Sequence, residues 1–430
     1  MEKEITIVKK LSGYKMTDNK EKMNRIELLA PAGDMNKLKT ALHFGADAVY
    51  VGGSDFSLRA NAKNFDLETL AVAVEYVHSR GKKIYVAVNI FARNDDFDKL
   101  GEYFVSLYEL GIDAVIISDA GVLSVCRAVA PQMEIHLSTQ ANTTNKYSAK
   151  FWAEQGVKRI VLARETSIEE VKQIREFLPA DIEIEAFVHG AMCISYSGRC
   201  LLSNFLTGRA SNRGECVQAC RWEYQITEAN RGGSPLSITE DARGTYILNS
   251  KDLNMIEHID DLIESGVFSF KIEGRMKSPY YVASVVNAYR KAIDSYYLDP
   301  QNYAPDAKLK DELFKNSHRD YTTGFYYGDK DNVCLETSQP KCDYEFMAEV
   351  IDYDKQKGLL QVEQRNRFAK GDSLEILCAN DECWNKTIVI DKMFDANGNE
   401  IEDAKLVQQR VFIPTEFALE ERDILRKKVK

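Results

Sequence analysis

Between Ile26 and Leu298 the chain repeats one hydrophobic grammar: a helix-ending glycine, a short link, then a nearly continuous apolar run. Gly45-Ala-Asp-Ala-Val-Tyr-Val, Gly111-Ile-Asp-Ala-Val-Ile-Ile, Gly156-Val-Lys-Arg-Ile-Val-Leu and Gly266-Val-Phe-Ser-Phe-Lys-Ile all follow it. Runs that are apolar on both faces, separated by amphipathic stretches, predict parallel strands covered by helices. The first unit predicts a strand at 26–30, a tight Pro31-Ala32-Gly33 turn and a helix to about Phe44 capped by Asp34. Adding 83–90, 134–138 and 182–188 to the strands near 26, 47, 113, 158 and 268 makes eight. Eight such units favour a closed (β/α)8 cylinder of the TIM type. An open doubly wound sheet is the competing topology, but no G-x-G-x-x-G follows the first strand.

Beyond about Cys342 the period switches to two, in EFMAEVIDYD, GLLQVEQ, DSLEILC, WNKTIVIDKMFD and VFIPT, broken by Gly, Asn and Asp. That pattern predicts a small antiparallel β-domain. The expected fold class is therefore α/β: a TIM-like barrel with a long insertion after strand 7 and a small C-terminal all-β domain. The expected boundaries are a polar N-terminal arm at 1–25, the barrel at 26–335 with a Cys-rich insertion at 190–265, and a β-barrel-like domain at 340–430. Inside the insertion, residues 235–253 predict two short strands around Ala242-Arg243-Gly244 and a helix after Asp252.

A (β/α)8 barrel keeps its chemistry where the strands end. That face should carry Gly33, Gly52-Gly53, Asn89, Asp119, Thr139-Gln140, Arg164-Glu165, His189 and Glu273/Arg275. The excursion that leaves strand seven holds Cys193, Cys200, Cys216 and Cys220, a C-x6-C-x15-C-x3-C spacing within a chain of nine cysteines. Composition sharpens its meaning. No apolar run reaches the ~18–20 residues of a membrane span, and the N-terminus Met1-Glu2-Lys3-Glu4 lacks the apolar core of a signal peptide. A cytoplasmic protein without membrane contact is expected, where clustered thiols serve metals or catalysis rather than disulfides. The irregular spacing and the missing paired C-x2-C knuckles favour a 4Fe-4S cluster, with zinc as the alternative and plain burial as the bland one.

A net charge of −10 excludes a uniformly basic surface, so any nucleic-acid contact must be local. Arg59, Arg164, Arg199, Lys271 and Arg275 gather near predicted strand ends and the loop, as candidate binders of an anionic substrate. Each alone reads more readily as a solvated or salt-bridged surface group; together, in an otherwise acidic chain, they point to an anion. His189, four residues before Cys193, is a candidate acid–base group or cysteine partner, against a merely hydrogen-bonded histidine. The turn Arg365-Asn366-Arg367-Phe368-Ala369-Lys370-Gly371-Asp372 and the tail Arg426-Lys427-Lys428-Val429-Lys430 are candidate RNA contacts, against solubilising charge. No HExxH, GxSxG or phosphate-cradling loop occurs.

The run Glu185-Ala-Phe-Val-His-Gly-Ala-Met-Cys-Ile-Ser-Tyr-Ser-Gly-Arg-Cys-Leu-Leu-Ser resembles the signature of the peptidase U-32 family, long labelled collagenase-like proteases. ELLAPAGD (27–34), GADAVYVGG (45–53), LNSKDL (248–253) and KIEGRMKSPYYV (271–282) are similar to the rest of that family's barrel, and RNRFAKGDSLEIL (365–377) resembles its C-terminal domain. The resemblance implies a 4Fe-4S cluster and oxygen-independent hydroxylation. Branches of the family act on tRNA wobble uridine, on a ribosomal RNA cytidine, or on ubiquinone precursors. GECVQACRWEY (214–224) looks most like the tRNA branch. It implies tRNA as partner, prephenate or a similar small dicarboxylate as hydroxyl donor, and in some branches a paralogous partner subunit. Cys193, Cys200, Cys216 and Cys220 would be the ligands. The quinone branch places a ligand after the KDL motif, where this chain has Asn254, so Cys220 must complete the set. A collagenase-like peptidase, or a non-catalytic RNA-binding protein with structural zinc, are the competing functions.

Overall fold

The computed structural model describes residues 25–54, 56–57, 64–193, 195–209, 211, 215–222, 240–241, 244–245, 250–328 and 340–429. Residues 1–24 of the expected N-terminal arm and Arg59 lie outside them, as does much of the insertion.

Seven parallel strands follow in order: β1 (Glu27–Pro31), β2 (Ala48–Gly52), β3 (Lys83–Val88), β4 (Ala114–Ile117), β5 (Glu134–Leu137), β6 (Arg159–Val161) and β7 (Glu183–Ala191). A two-stranded hairpin, β8 (Glu240–Asp241) with β9 (Gly244–Thr245), and β10 (Asp252–Asn254) intervene before the eighth barrel strand, β11 (Ser269–Ile272). β11 pairs in parallel with both β7 and β1, which closes the cylinder. The eight expected strands are thus the eight of the barrel.

Helices α1 (Met35–His43), α2 (Leu67–His78), α3 (Phe97–Glu109), α4 (Ala120–Val129), α5 (Lys146–Glu154) and α6 (Ile168–Phe177) cover its outside. Their starts are set locally. The side chain of Asp34 accepts from Lys37 N–H, Asp66 from Thr69, Asp119 from Gly121 and Val122, Asn145 from Ser148, and Ser167 from Glu170. Each such cap contributes about 1 kcal/mol. Apolar side chains of the strands and helices merge into one buried layer, from Leu28 and Val49 through Val86, Val115 and Ile160 to Val285 and Ile293.

The inside of the cylinder is different. Leu29, Ala48, Tyr50, Tyr85, Ala114 and Ile116 form a small apolar cluster. Beneath it the strands turn charged groups inward. Arg159 of β6 is 1% exposed and reaches Glu27 of β1 at 2.6 Å, Glu183 at 2.7 Å and Glu185 of β7 at 3.3 Å. Burial opposes ionisation of Glu27, but the Arg159 charge and its hydrogen bonds hold that carboxyl below its usual range.

Between β7 and β11 lie a short α7 (Leu202–Thr207) on the cysteine excursion and α8 (Ile259–Glu264); after β11 come the long α9 (Pro279–Leu298) and α10 (Ala307–Phe314). The expected helix after Asp252 is α8, but it starts only at Ile259; Asp252 itself opens β10, which runs antiparallel to the end of β7 (Asp252 opposite Ala191) and parallel to β12 (Tyr321–Thr322). The Asp252 carboxylate accepts from the backbone and guanidinium of Arg319, both at 3.1 Å, so it is consumed by a tertiary contact rather than capping a helix.

The C-terminal region is antiparallel. β13 (Tyr344–Asp354), β14 (Leu359–Gln364), β16 (Ser373–Leu377), β17 (Thr387–Val389), β19 (Arg410–Pro414) and β20 (Ile424–Lys428) form one sheet, while β15 (Phe368–Ala369) pairs with β18 (Asp403–Ala404). Arg426 of β20, fully buried, grips the equally buried Glu312 of α10 and reaches Glu375 at 2.6 Å. Asn287 of α9 donates to the Cys378 carbonyl at 3.1 Å. These bonds tie sheet to barrel. The cationic turn near 365–372 proves to be internally neutralised: Arg365 pairs with Glu349 and Glu363, Arg367 with Asp403, and Lys370 with Glu400 and Glu402. Phe368 is 1% exposed and belongs to the core, so it is no platform for a base.

Candidate active site

At the C-terminal mouth of the barrel lies a cavity of about 190 Å³. Cys193, Cys200, Cys216 and Cys220 all line it, together with Arg164, Lys271, Glu273 and Arg275 from the strand ends. Asn89, Thr139 and Gln140, expected at this face, line it too. Asp119 does not: its carboxylate is spent on the start of α4.

The excursion carrying the cysteines is pinned on two sides. Glu165, just past β6, accepts from Ser197 N at 2.6 Å and Ser197 Oγ at 2.8 Å, holding that residue at φ 45°. Arg199 sends Nε and Nη2 to the Gln140 carbonyl at 2.9 and 2.7 Å, and its guanidinium lies 5.6 Å from the Phe91 ring centre. Arg199, expected to bind substrate, is thus a clamp between loop and barrel. Ser203 of α7 is 1% exposed; its Oγ sits 3.8 Å from Cys216 Sγ and accepts from Val217 N at 3.2 Å.

The sulfurs share a local device. Leu202 N donates to Cys200 Sγ at 3.3 Å and Gln218 N to Cys216 Sγ at 3.4 Å, each from two residues on. Burial pushes the Cys193 thiol up, and a backbone hydrogen bond from Ser195 with the Arg164 charge pulls it back. Amide donors aimed at sulfur stabilise thiolate over thiol. The four cysteines are free of disulfides. Among the described residues no three His, Cys, Asp or Glu side chains converge closely enough for a single metal ion. Tetrahedral zinc with bonds of ~2.3 Å needs sulfurs within about 4 Å of one another. A multinuclear cluster spreads its thiolates further apart; all four cysteines line one cavity and Cys193, Cys200 and Cys216 accept backbone amides, so these are the residues that could hold such a group.

Facing the sulfurs is a cationic wall. Lys271 Nζ is buried, 2.7 Å from Glu185 Oε1 and 4.5 Å from the Tyr50 ring centre. Arg164 bonds Glu273 at 3.3 Å and lies 4.1 Å from the Phe187 ring centre. Arg275 is 5% exposed and donates to Ser57 Oγ at 3.0 Å. A Cβ on Gly52 would collide with the Arg275 guanidinium, and one on Gly33 with its backbone carbonyl. Those two glycines are what let Arg275 fold over the mouth.

The strand ends are held by tyrosine hydroxyls. Tyr326 donates to the Phe187 carbonyl, Tyr289 to Val188, Tyr50 to Ile272 and Tyr281 to Glu273, all between 2.7 and 2.9 Å. They serve carbonyls where the β7–β11 register shifts. They come from three places in the chain: Tyr50 from β2, Tyr281 and Tyr289 from the helix Pro279–Leu298, and Tyr326 from the turn after Thr322, so no single sequence period marks the set.

His189 is a correction. It is 1% exposed, outside the cavity lining, and enclosed by Tyr281, Tyr289 and Tyr321 with ring centres 5.4–6.0 Å away. Burial lowers its pKa to about 3, so the imidazole is neutral. It supports β7 rather than exchanging protons with a substrate.

Comparison with known proteins follows this geometry. Residues 33–334 match the family model for Peptidase family U32, and residues 342–426 that for the Peptidase family U32 C-terminal domain. The tRNA hydroxylation protein P1 of Bacillus subtilis (strain 168) is 44% identical over 381 residues, covering 88% of this chain and 89% of its own. The tRNA hydroxylation protein P of Escherichia coli (strain K12) is 37% identical over 447 residues, 93% of this chain and 95% of its own. Among solved structures, the C-terminal domain of a Geobacillus thermoleovorans U32 peptidase is 36% identical, covering 19% of this chain and 99% of that one, with a TM-score of 0.18.

Proposed function

The chain belongs to peptidase family U32, and from that premise we propose that it is an enzyme that hydroxylates uridine in tRNA at C5, with Cys193, Cys200, Cys216 and Cys220 holding a 4Fe-4S cluster. The observation that carries the reading is the meeting of four cysteines, three of them accepting backbone amides, and three cations around one barrel-mouth cavity. The names of the relatives supply the substrate class.

When bound, such a cluster supplies one-electron chemistry and a Lewis-acidic iron. The chain's own residues do the rest. Lys271, Arg275 and Arg164 offer buried cationic donors to a small dicarboxylate, with prephenate as the proposed hydroxyl donor. Glu185 holds the Lys271 ammonium in place, and Glu273 orients Arg164. The net exchange is balanced without oxygen: the base C–H becomes C–OH, and the donor gives up its hydroxyl and leaves carrying hydrogen. Lys271 and Arg275 are themselves buried, which strengthens their contacts with a bound anion.

The peptidase alternative calls on His189 as its acid–base group, and that residue lies outside the cavity lining among Tyr281, Tyr289 and Tyr321. No helix among the described residues is long and apolar enough to cross a membrane. The test is nucleoside mass spectrometry of tRNA from cells lacking the gene, complemented with wild type or Cys216→Ser. Loss of 5-hydroxyuridine restored only by wild type supports the reading; unchanged nucleosides in the deletion refute it. Iron and acid-labile sulfide in anaerobically purified protein test the cluster separately.

A further inference from the structure

Helix α7 stands on the cysteines and turns an apolar face to solvent. Ser203 points inward to Cys216, while Leu201 and Phe205, four residues apart, share the opposite side of that turn. Leu201 is 72% exposed and Phe205 84%. Tyr196 (53%), Leu206 (40%) and Trp222 (42%) are exposed on the same excursion. Leaving five large apolar groups in water on one segment is costly, and such concentrations mark binding surfaces. The flanking charge is positive: Arg199 and Arg209 are both exposed.

We propose that this face is a stacking platform for unpaired bases of the RNA substrate, with Phe205 as its principal ring. Three observations single out RNA from other occupants. The chain carries a net charge of −10, so an aromatic surface flanked by arginines is locally atypical and complementary to a phosphate backbone. The expected RNA-binding turn near 365–372 has its cations neutralised and its phenylalanine buried, which removes it as the alternative. The platform also belongs to the loop that rims the cavity, so a base displaced from its neighbours into the site leaves those neighbours beside it. Unstacked bases settle on aromatic faces and guanidinium planes regardless of sequence. The platform rests on the RNA reading above but not on the identity of the modified atom.

The test is fluorescence anisotropy with a labelled hairpin RNA whose single-stranded loop contains uridines, using full-length protein with its iron content measured in parallel. Phe205→Ala weakens binding roughly five- to hundredfold, Phe205→Trp restores it, and Phe205→Leu does not, because a ring rather than apolar area is required. Arg209→Gln lowers the slope of log affinity against log salt by about one. A fully duplex RNA binds weakly to wild type and variants alike. Wild-type affinity in Phe205→Ala with unchanged iron overturns the proposal. So does rescue by Phe205→Leu, or a dimer that Phe205→Ala dissolves while RNA binding persists, since either assigns the face to protein. Loss of binding in Phe205→Ala together with normal nucleosides in the deletion strain would instead retire the hydroxylation reading and keep the platform.

Discussion

Replacing Glu185 by Gln removes one buried negative charge behind the cavity-lining Lys271 while keeping the side-chain shape. Glu185 is 0% exposed, with Lys271 Nζ at 2.7 Å and Arg159 Nη1 at 3.3 Å. Arg159 keeps Glu27 at 2.6 Å and Glu183 at 2.7 Å, so most of the loss falls on Lys271. That ammonium then loses its carboxylate partner and keeps the Tyr50 and Phe187 ring faces at 4.5 and 5.6 Å. Stranding one member of a buried pair costs about 3–5 kcal/mol. Lys271→Met strands Glu185 less completely, because the Arg159 bond survives, and should cost about 3 kcal/mol at most. Glu185→Gln with Lys271→Met removes both charges, so the double variant should recover, with a coupling of about 2 kcal/mol or more. Urea unfolding followed by circular dichroism measures each value. Costs that add to within about 0.5 kcal/mol would mean the two groups do not share an interaction and would refute the reasoning. Calorimetric titration with prephenate supplies the functional half: Lys271→Met should bind it at least tenfold more weakly than wild type.

Other consequences are separable. His189, neutral at about pH 3 and above when folded, has an ordinary unfolded value near 6.5. The unfolded chain therefore binds the extra proton, and stability is lost as pH falls from 6.5 toward 3, by about 2 kcal/mol at pH 5. His189→Gln should flatten that part of the stability profile, and an unchanged acid slope would contradict it. Gly52→Ala should displace Arg275 and weaken dicarboxylate binding about tenfold, at an overpacking cost of roughly 1–3 kcal/mol; unaltered affinity would show that Arg275 does not contact the ligand. Glu165→Ala releases the Ser197 anchor, so hydrogen exchange of residues 195–209 should accelerate and iron retention after gel filtration should fall. Arg426→Met, leaving buried Glu312 with Lys315 at 3.6 Å as its remaining cation and the Ser284 hydroxyl at 2.6 Å, should lower the unfolding midpoint sharply, whereas Arg426→Met with Glu312→Gln should restore part of it.

How much of this was legible along the chain depends on the range of the forces involved. Strand period, helix-ending glycines and Asx or Ser caps are local, so the eight barrel strands, their capped helices and the turn to an antiparallel C-terminal sheet could be read directly. The cysteine spacing also pointed to one site, and all four thiols do border one cavity. Tertiary structure decided what each polar residue does. Arg199 and Arg164 look alike in sequence, yet one clamps a carbonyl and the other faces the cavity. His189 precedes the cysteines by four residues, yet the β7–β10 pairing turns it into a shell of tyrosines. The cations around 365–372 read as available until strands distant in sequence bring carboxylates to them. Glu165, Ser203 and the four tyrosine hydroxyls gave no period at all. Backbone propensity acts over a few residues and writes itself into the order of amino acids; charge pairing acts through space, and only the closed cylinder determines which opposite charges meet.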